Sequence, residues 1–167
     1  MRVYIPATFA MLNQLAAEGS FHARNGYGFA VTPALEKIYE GDEEELAALA
    51  FDDAALASIR LLAVGDEPDF PHRRVVISTD LPDSQITVAD DLGDSVLTLS
   101  PATIQFDQVG AIHIDPQESE AATAAAIEVI DAADLGDEDA ELTVGDCLDN
   151  FMAWYDPSEL QVLTQLL

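Results

Sequence analysis

The sequence predicts a single α/β domain with a mixed β-sheet in which helices follow strands. Three observations indicate this class. Short apolar segments end at helix-capping residues, proline stands at or near the first turn of the helices that follow, and a turn-rich stretch in mid-chain separates two further apolar segments. The length of 167 residues fits one domain over residues 1–167, and an apolar content of 49 % is enough for a folded core.

The first two junctions between a strand and a helix end in threonine. Residues 3–5 have the apolar composition of a strand, and Thr8 is placed to cap a helix that Gly19 ends. Residues 27–31 form the next predicted strand, and Thr32 caps a helix whose first residue is proline, where the fixed φ of that residue suits the helix. Both helix starts therefore carry a neutral hydroxyl.

The other two junctions end in aspartate. Residues 111–114 lead into Asp115, and residues 151–155 lead into Asp156. Each aspartate is followed by proline and, three positions on, by glutamate, which is the spacing of a capping box with a carboxylate at the positive end of a helix. The stretch 151–155 also fits a helical stripe together with Leu148, so its assignment as a strand rests on analogy with the other junctions.

The remaining segments each have the pattern of one kind of element. They are a long helix from the acidic run at 42–45 to about Val64, a loop over 67–71, a buried strand over 73–78, an antiparallel pair of 86–88 with 96–99, and an alanine-rich helix over 117–133. The acidic stretch 133–145 is not assigned. We expect the strands at 3–5, 27–31, 74–78 and 111–114 to be neighbours in the sheet.

Charge is the most unusual property of this chain. Six Lys and Arg residues stand against 32 Asp and Glu residues, a formal charge of 6 − 32 = −26. Nucleic acids and anionic membranes require clustered basic residues, and the only basic pair, Arg73 with Arg74, begins a predicted buried strand. We therefore expect no binding to nucleic acid or membrane. The excess of acid fits either an acid-biased, salt-tolerant proteome or a surface for a basic protein partner or for cations.

Cysteine usage and the N-terminus indicate a cytoplasmic protein. Cys147 is the only cysteine, which excludes an intramolecular disulfide and points to a reducing compartment, and we expect it to be a buried, inert thiol. The first residues lack the basic and apolar regions of a signal peptide. No apolar run approaches the roughly 20 residues that span a bilayer.

No motif of metal, cofactor or nucleophile chemistry is present. The histidines are far apart and have no cysteine partners: His22, His72 and His113. We therefore expect no metal, no cofactor and no catalytic residue, and we expect His113 to face the surface or to be hydrogen-bonded. A minor alternative is a magnesium site formed by aspartates that follow strands: Asp80, Asp115 and Asp156.

Threonine-capped helix starts are the best candidates for a small-molecule site. They leave the partial positive charge of the helix end available to an anion, and the loop 21–28 beside them supplies donors and glycines. The sequence predicts ligand binding by Thr8, His22, Arg24 and Thr32 around one concavity. The alternative is ordinary caps beside a mobile loop.

Four short segments also resemble a known family. They are RVYIPAT at 2–8, VTPAL at 31–35, GDEEEL at 41–46, and the Trp154-Tyr155 pair. They resemble a family of small actinobacterial proteins that is grouped as a domain of unknown function. The resemblance implies a stand-alone cytoplasmic protein, and it supplies no activity and no catalytic residue.

Two classes of function are consistent with these observations. The first is an acidic cytoplasmic interaction or accessory protein without catalytic activity, which we favour because no acid, base or nucleophile stands with its partner. The alternative is a small-anion or small-molecule binding protein, or an enzyme, with its site at the strand ends near Thr8 and Thr32.

Overall fold

Nine strands and six α-helices form the part of the chain that the structure describes, residues 1–65 and 70–166 of a computed structural model. In chain order they are β1 (Arg2–Ala7), α1 (Phe9–Glu18), β2 (Ser20–His22), β3 (Tyr27–Phe29), α2 (Pro33–Ile38), α3 (Glu43–Ala63), β4 (Val75–Asp80), β5 (Ile86–Val88), β6 (Val96–Leu99), β7 (Thr103–Gln105), β8 (Val109–Ile114), α4 (Glu120–Asp134), α5 (Glu138–Leu148), β9 (Ala153–Tyr155) and α6 (Leu160–Leu166).

Seven of the strands form one sheet in the order β5-β6-β3-β1-β4-β8-β9, and β2 pairs separately with β7. The α/β class is confirmed, and the four strands expected as neighbours lie side by side as β3, β1, β4 and β8. Where a mixed sheet was expected, the pairings among these described strands are antiparallel. Between β1 and β3 the chain forms α1 and β2, which pack against each other. Because β1 and β3 are antiparallel, β3 begins at the end of the sheet where β1 ends.

Three of the four predicted helix starts are confirmed. The Thr8 hydroxyl accepts a hydrogen bond from the backbone N–H of Met11 at 3.4 Å, and the Thr32 hydroxyl accepts one from the N–H of Leu35 at 3.2 Å. Asp156 begins a 3₁₀ turn with a complete capping box. Each cap satisfies backbone donors that the first turn leaves without partners.

Asp115 does not cap the turn that follows β8, contrary to the prediction. Its buried carboxylate accepts hydrogen bonds from the backbone N–H of Arg74 at 2.7 Å and from the Arg74 guanidinium at 2.6 Å. The Thr123 hydroxyl donates a further bond at 2.9 Å. Arg74 is 1 % exposed, and a buried guanidinium needs a counter-ion more than a helix end needs a cap.

The sheet separates two packed layers. On one face, Val3, Ile5 and Ile77 pack with α1 and α6 in the largest core cluster. On the other face, α3 lies across the sheet with Ala54 against Val76, and α4 and α5 pack against α3 in turn. Side chains that alternate along the strands therefore belong to two different layers.

Ser58 fixes the C-terminal half of α3 to the sheet. Its buried hydroxyl donates a hydrogen bond to the carbonyl of Ala7 at 2.9 Å and accepts one from the N–H of Val75 at 3.1 Å. The N-terminal half of α3 packs instead beside α2, where Leu46 contacts Leu35. As a result, α3 leaves part of the sheet face next to its N-terminal half uncovered.

The remaining predicted segments agree with the structure in most of their element types. The long helix with the acidic start and the antiparallel pair of β5 with β6 are confirmed. The stretch 151–155 contains β9, a strand shorter than predicted, and the unassigned stretch 133–145 contributes mainly to α5. The predicted loop over 67–71 falls largely on residues 66–69, which lie outside the described part of the chain. Among the described helices, none is long and apolar enough to cross a membrane.

Candidate functional site

Polar and aromatic side chains share the face of the sheet on which α3 lies. The register places Tyr4 opposite Ser78, Ser78 opposite Ala111, and His113 opposite Trp154. Directly paired residues project to the same side of a sheet, so these side chains lie on one face in two adjacent rows, Tyr4 with Ser78 in one and His113 with Trp154 in the next. Neighbouring positions on the same strands face the apolar core on the other side.

The uncovered part of this face forms a groove beside the N-terminal half of α3. Two adjoining cavities of about 880 and 430 Å³ share Arg2, Tyr4 and Ala47 among their lining residues. We call the combined feature the α3 groove and define its smaller end by six residues: Tyr4, Glu44, Phe51, Asp52, His113 and Trp154. The groove is large enough for a small ligand or for a segment of another chain.

A hydrogen bond between Ser78 and His113 lies at the floor of the groove. Ser78 Oγ and His113 Nε2 are 2.8 Å apart, and Ser78 is only 2 % exposed. Burial, and to a smaller extent the charge of Arg2, lowers the pKa of His113 to about 4. The imidazole is therefore neutral near pH 7, and the serine holds its ring in place.

This pair is not suited to nucleophilic catalysis. A general base works best with a pKa near the working pH, and an imidazole with a pKa of about 4 has little tendency to take a proton from a serine. The Ser78 hydroxyl is almost completely buried, which limits the approach of a substrate. Among the described residues, no carboxylate hydrogen-bonds to His113 as the third member of a triad. The geometry of this pair and of the groove around it suits ligand binding better than catalysis.

Aromatic rings form one wall of the groove. The rings of Tyr4 and Phe51 meet edge-on with centroids 5.6 Å apart, and the ring of Phe51 meets that of His113 in the same way at 4.8 Å. Trp154 lines the same cavity and is 60 % exposed. Ring faces carry partial negative charge and attract cations as well as apolar groups.

Carboxylates form the rim. Four of them line the two cavities: Glu36, Glu43, Glu44 and Asp52. Partial burial, and then the neighbouring Asp53, raise the pKa of Asp52. The guanidinium of Arg2 also reaches the groove, but it is paired with Asp80, with Nε–Oδ1 at 3.0 Å and Nη2–Oδ2 at 3.2 Å. The groove therefore carries a net negative charge.

The structure does not bring Thr8 and Thr32 together. Tyr4 pairs with Phe29 in antiparallel strands, so the ends of β1 and β3 that lead into these residues lie at opposite ends of the sheet. Both threonines are at least 99 % buried, and the Thr32 hydroxyl also donates to the carbonyl of Asp94. A concavity shared by the two helix starts, as the sequence predicted, would require β1 and β3 to run in parallel.

His22 and Arg24 do lie together. They line a cavity of about 410 Å³ with Met11 and Gln14 of α1 and with Asn25. Thr8, at the start of α1, is not among the lining residues. Anion binding by His22 and Arg24 at this cavity stays a prediction.

The predicted magnesium ligands are engaged elsewhere. Asp80 pairs with Arg2, Asp115 pairs with Arg74, and the Asp156 carboxylate accepts a hydrogen bond from its own capped turn. Within the described chain, no group of three or more His, Cys, Asp or Glu side chains is arranged to hold a metal ion.

Cys147 is buried, as expected. Its Sγ lies 3.5 Å from the Thr123 hydroxyl, and burial raises the pKa of the thiol. A thiol with a raised pKa is mostly protonated near neutral pH and is a weak nucleophile.

The sequence prediction of site residues misses the α3 groove. A usable signal was present in His113, which stands between two isoleucines in a strand, and in Ser78, which follows the apolar run 75–77 of another strand. Polar residues at alternate positions of buried strands indicate a face that is not fully covered. The register that brings Ser78 and His113 together on neighbouring strands has no signature in the sequence.

Fold and groove together define an α/β protein with a negatively charged, aromatic-lined cleft beside an antiparallel sheet. The chain belongs to DUF6912, a family of unknown function, which matches residues 1–164. This agrees with the resemblance to a domain of unknown function. No curated protein and no solved structure matches the chain.

Proposed function

We propose that this protein is a cytoplasmic interaction or accessory protein without catalytic activity, and that it binds a partner protein with a basic surface in the α3 groove. One observation supports this most strongly. Carboxylates and the exposed Trp154 line a single open groove, and the Arg2 guanidinium that also lines it is paired with Asp80. Such a surface favours a positively charged segment with some apolar character.

The charge of the whole chain supports the same class of partner. A formal charge of −26 attracts cationic surfaces over a long range and speeds their encounter. It also disfavours nucleic acid, since Arg73 is paired with Glu120 and Arg74 with Asp115. The exposed tryptophan adds local specificity, because aromatic anchors account for much of the binding energy at interfaces.

The experiment uses a peptide of alternating arginine and glycine as the probe. Calorimetric titration at low salt should give saturable binding, and the same peptide with neutral citrulline in place of arginine should not bind. The double variant Glu44→Gln/Asp52→Asn should weaken binding about tenfold, because it removes two charges from the groove.

A matched control removes the same charge elsewhere. Asp90→Asn/Asp91→Asn changes two exposed acids in the turn between β5 and β6, at the opposite edge of the sheet from Trp154. This variant should change the affinity less than about twofold. If both double variants lost affinity for the peptide equally, net charge alone would attract the peptide, and the proposal would fail.

Small-anion binding near His22 and Arg24 is the second candidate, supported by the cavity that the two residues share. Inorganic phosphate should then shift the ring resonances of His22, and Arg24→Ala should abolish the shift. Resonances that do not move up to millimolar phosphate would exclude this site.

A further inference from the structure

The smaller end of the α3 groove combines rings and carboxylates in one place. On α3, Glu44, Ala47, Ala48, Phe51 and Asp52 follow the spacing i, i+3, i+4, i+7 and i+8, and all five line the same cavity. Glu44 and Asp52 place a carboxylate at each end of this stripe, and the ring of Phe51 stands next to Asp52. The two alanines between them leave the space that a ligand would occupy.

We infer that this end of the groove is a pocket for the cationic end of one arginine or lysine side chain of the partner, held between the rings of Trp154 and Phe51 and the carboxylate of Asp52. The inference rests on the proposed function and deepens it by naming the group that is recognised. An arginine or lysine side chain also has an apolar stem, which suits a pocket with aromatic walls.

The walls suit a cation because the one positively charged side chain among them, Arg2, is paired with Asp80. His113 is fixed by the Ser78 hydroxyl at 2.8 Å and packs edge-on against Phe51, so its ring belongs to the wall. The guanidinium of Arg2 lines the same cavity, but two hydrogen bonds hold it to Asp80. A ligand cation would meet Asp52 and Glu44 as the carboxylates that Arg2 does not neutralise.

The pocket also has the usual elements of cation recognition by aromatic residues. A ring face within about 6 Å of the charge supplies attraction that a neutral isostere does not receive. Trp154, the strongest of the aromatic residues for this interaction, is the most exposed ring of the pocket at 60 %. A hydrophobic contact alone would not distinguish a charged side chain from a neutral one of the same shape.

The test uses the only tryptophan of the chain as a reporter, since it gives one indole N–H resonance. N-acetyl-arginine amide and N-acetyl-lysine amide should each shift this resonance to saturation, whereas N-acetyl-citrulline amide should not. The shift should be lost in Asp52→Asn and kept in Asp90→Asn. For the arginine–glycine peptide, Trp154→Leu should weaken binding about fivefold or more, which checks the same contact with the indole removed.

The outcomes separate this inference from the proposed function. If the peptide binds in the groove but the indole resonance stays unmoved by the arginine derivative, the pocket assignment is overturned while the proposed function stands. If the amino-acid derivatives bind and the peptide does not, the pocket takes a free small cation, and the partner assignment is overturned. An equal shift with the citrulline derivative would show that charge is not recognised and would also overturn the inference.

Discussion

Ser78 on β4 and His113 on β8 are joined by a 2.8 Å hydrogen bond beneath the α3 groove. Ser78 pairs with Ala111, two residues before His113 on the same strand, so the two side chains are diagonal neighbours on the face toward α3. It satisfies a serine hydroxyl that is almost completely buried, and it orients a neutral imidazole against Phe51. The polar floor of the groove is therefore ordered before any ligand arrives.

The first prediction concerns pH. The ordinary pKa of 6.5 for histidine applies to the unfolded chain, and burial lowers the pKa of His113 to about 4 in the folded protein. Between these values the unfolded state binds more protons, so the contribution of His113 to stability falls as the pH falls from 6.5 toward 4. His113→Gln removes this titration and keeps a hydrogen-bonding group for Ser78.

Urea denaturation at pH 7 and pH 4.5 measures the effect. The free energy of unfolding of the wild type relative to His113→Gln should drop by on the order of 2 kcal/mol between the two pH values. The comparison cancels the titration of the many acids, which both proteins share. Parallel pH profiles would show that the imidazole is not desolvated.

The second prediction concerns the buried ion pair of Arg74 and Asp115, whose side chains are 1 % and 0 % exposed. Arg74→Met and Asp115→Leu should each destabilise the protein by about 3–5 kcal/mol, because each leaves the partner charge buried without a counter-ion. The double variant should cost clearly less than the sum of the two single changes.

Arg60 and Asp134 provide the matched control, since their ion pair has side chains that are 46 % and 43 % exposed. The same change at Arg60, to Met, should cost less than about 1 kcal/mol. Chemical denaturation of the single and double variants gives the coupling energy at each pair. If the double variant at Arg74 and Asp115 lost as much stability as the two single variants together, the coupling between the two side chains would be negligible.

The third prediction concerns Gly28 on β3. A Cβ atom at this position would lie 2.6 Å from Cγ1 of Val3 and 3.1 Å from Cδ1 of Ile5, both fully buried on the neighbouring strand. Gly28→Ala should therefore destabilise the protein by about 1–3 kcal/mol. Gly145→Ala, inside α5 with nothing within 4 Å of the added atom, should instead stabilise it by about 0.5–1 kcal/mol. Thermal denaturation of both variants decides, and a stabilised Gly28→Ala would contradict the packing of β3 on β1.

Much of the fold follows from local signals in the sequence. Thr8, Thr32 and the acidic run before α3 mark their helix starts because a cap acts on the residues next to it. Asp115 shows where such signals fail. It has the spacing of a capping box, yet its partner is Arg74, 41 positions earlier in the chain. Which of two available donors a carboxylate takes depends on tertiary burial, and a local pattern contains no information about that.

The candidate site was harder to predict than the fold for the same reason. Grouping Thr8 with Thr32 depended on the relative direction of β1 and β3, which the apolar pattern of a strand does not specify. The α3 groove depends on register across four strands and on the position at which Ser58 fixes α3. These are long-range relationships, although each residue involved stands in a segment whose strand or helix was predicted.

The fourth prediction concerns salt. With 26 uncompensated negative charges on one small protein, repulsion opposes folding, and ions screen it within a Debye length of about 8 Å at physiological ionic strength. The melting temperature should rise by several degrees from low to moderate sodium chloride. Potassium chloride should give the same rise, because screening depends on ionic strength. A melting temperature that is independent of salt would mean that the charges lie too far apart to repel one another.

The fluorescence of Trp154 provides a direct test of whether a basic segment binds in the α3 groove. This residue is the only tryptophan and is 60 % exposed at the groove, so its emission reports on this surface alone. Titration with the arginine–glycine peptide at low salt should shift the emission to shorter wavelength and reach saturation, and moderate salt should weaken the binding. An emission spectrum that the peptide leaves unchanged, or that the citrulline peptide changes equally, would contradict the binding of a basic segment in this groove.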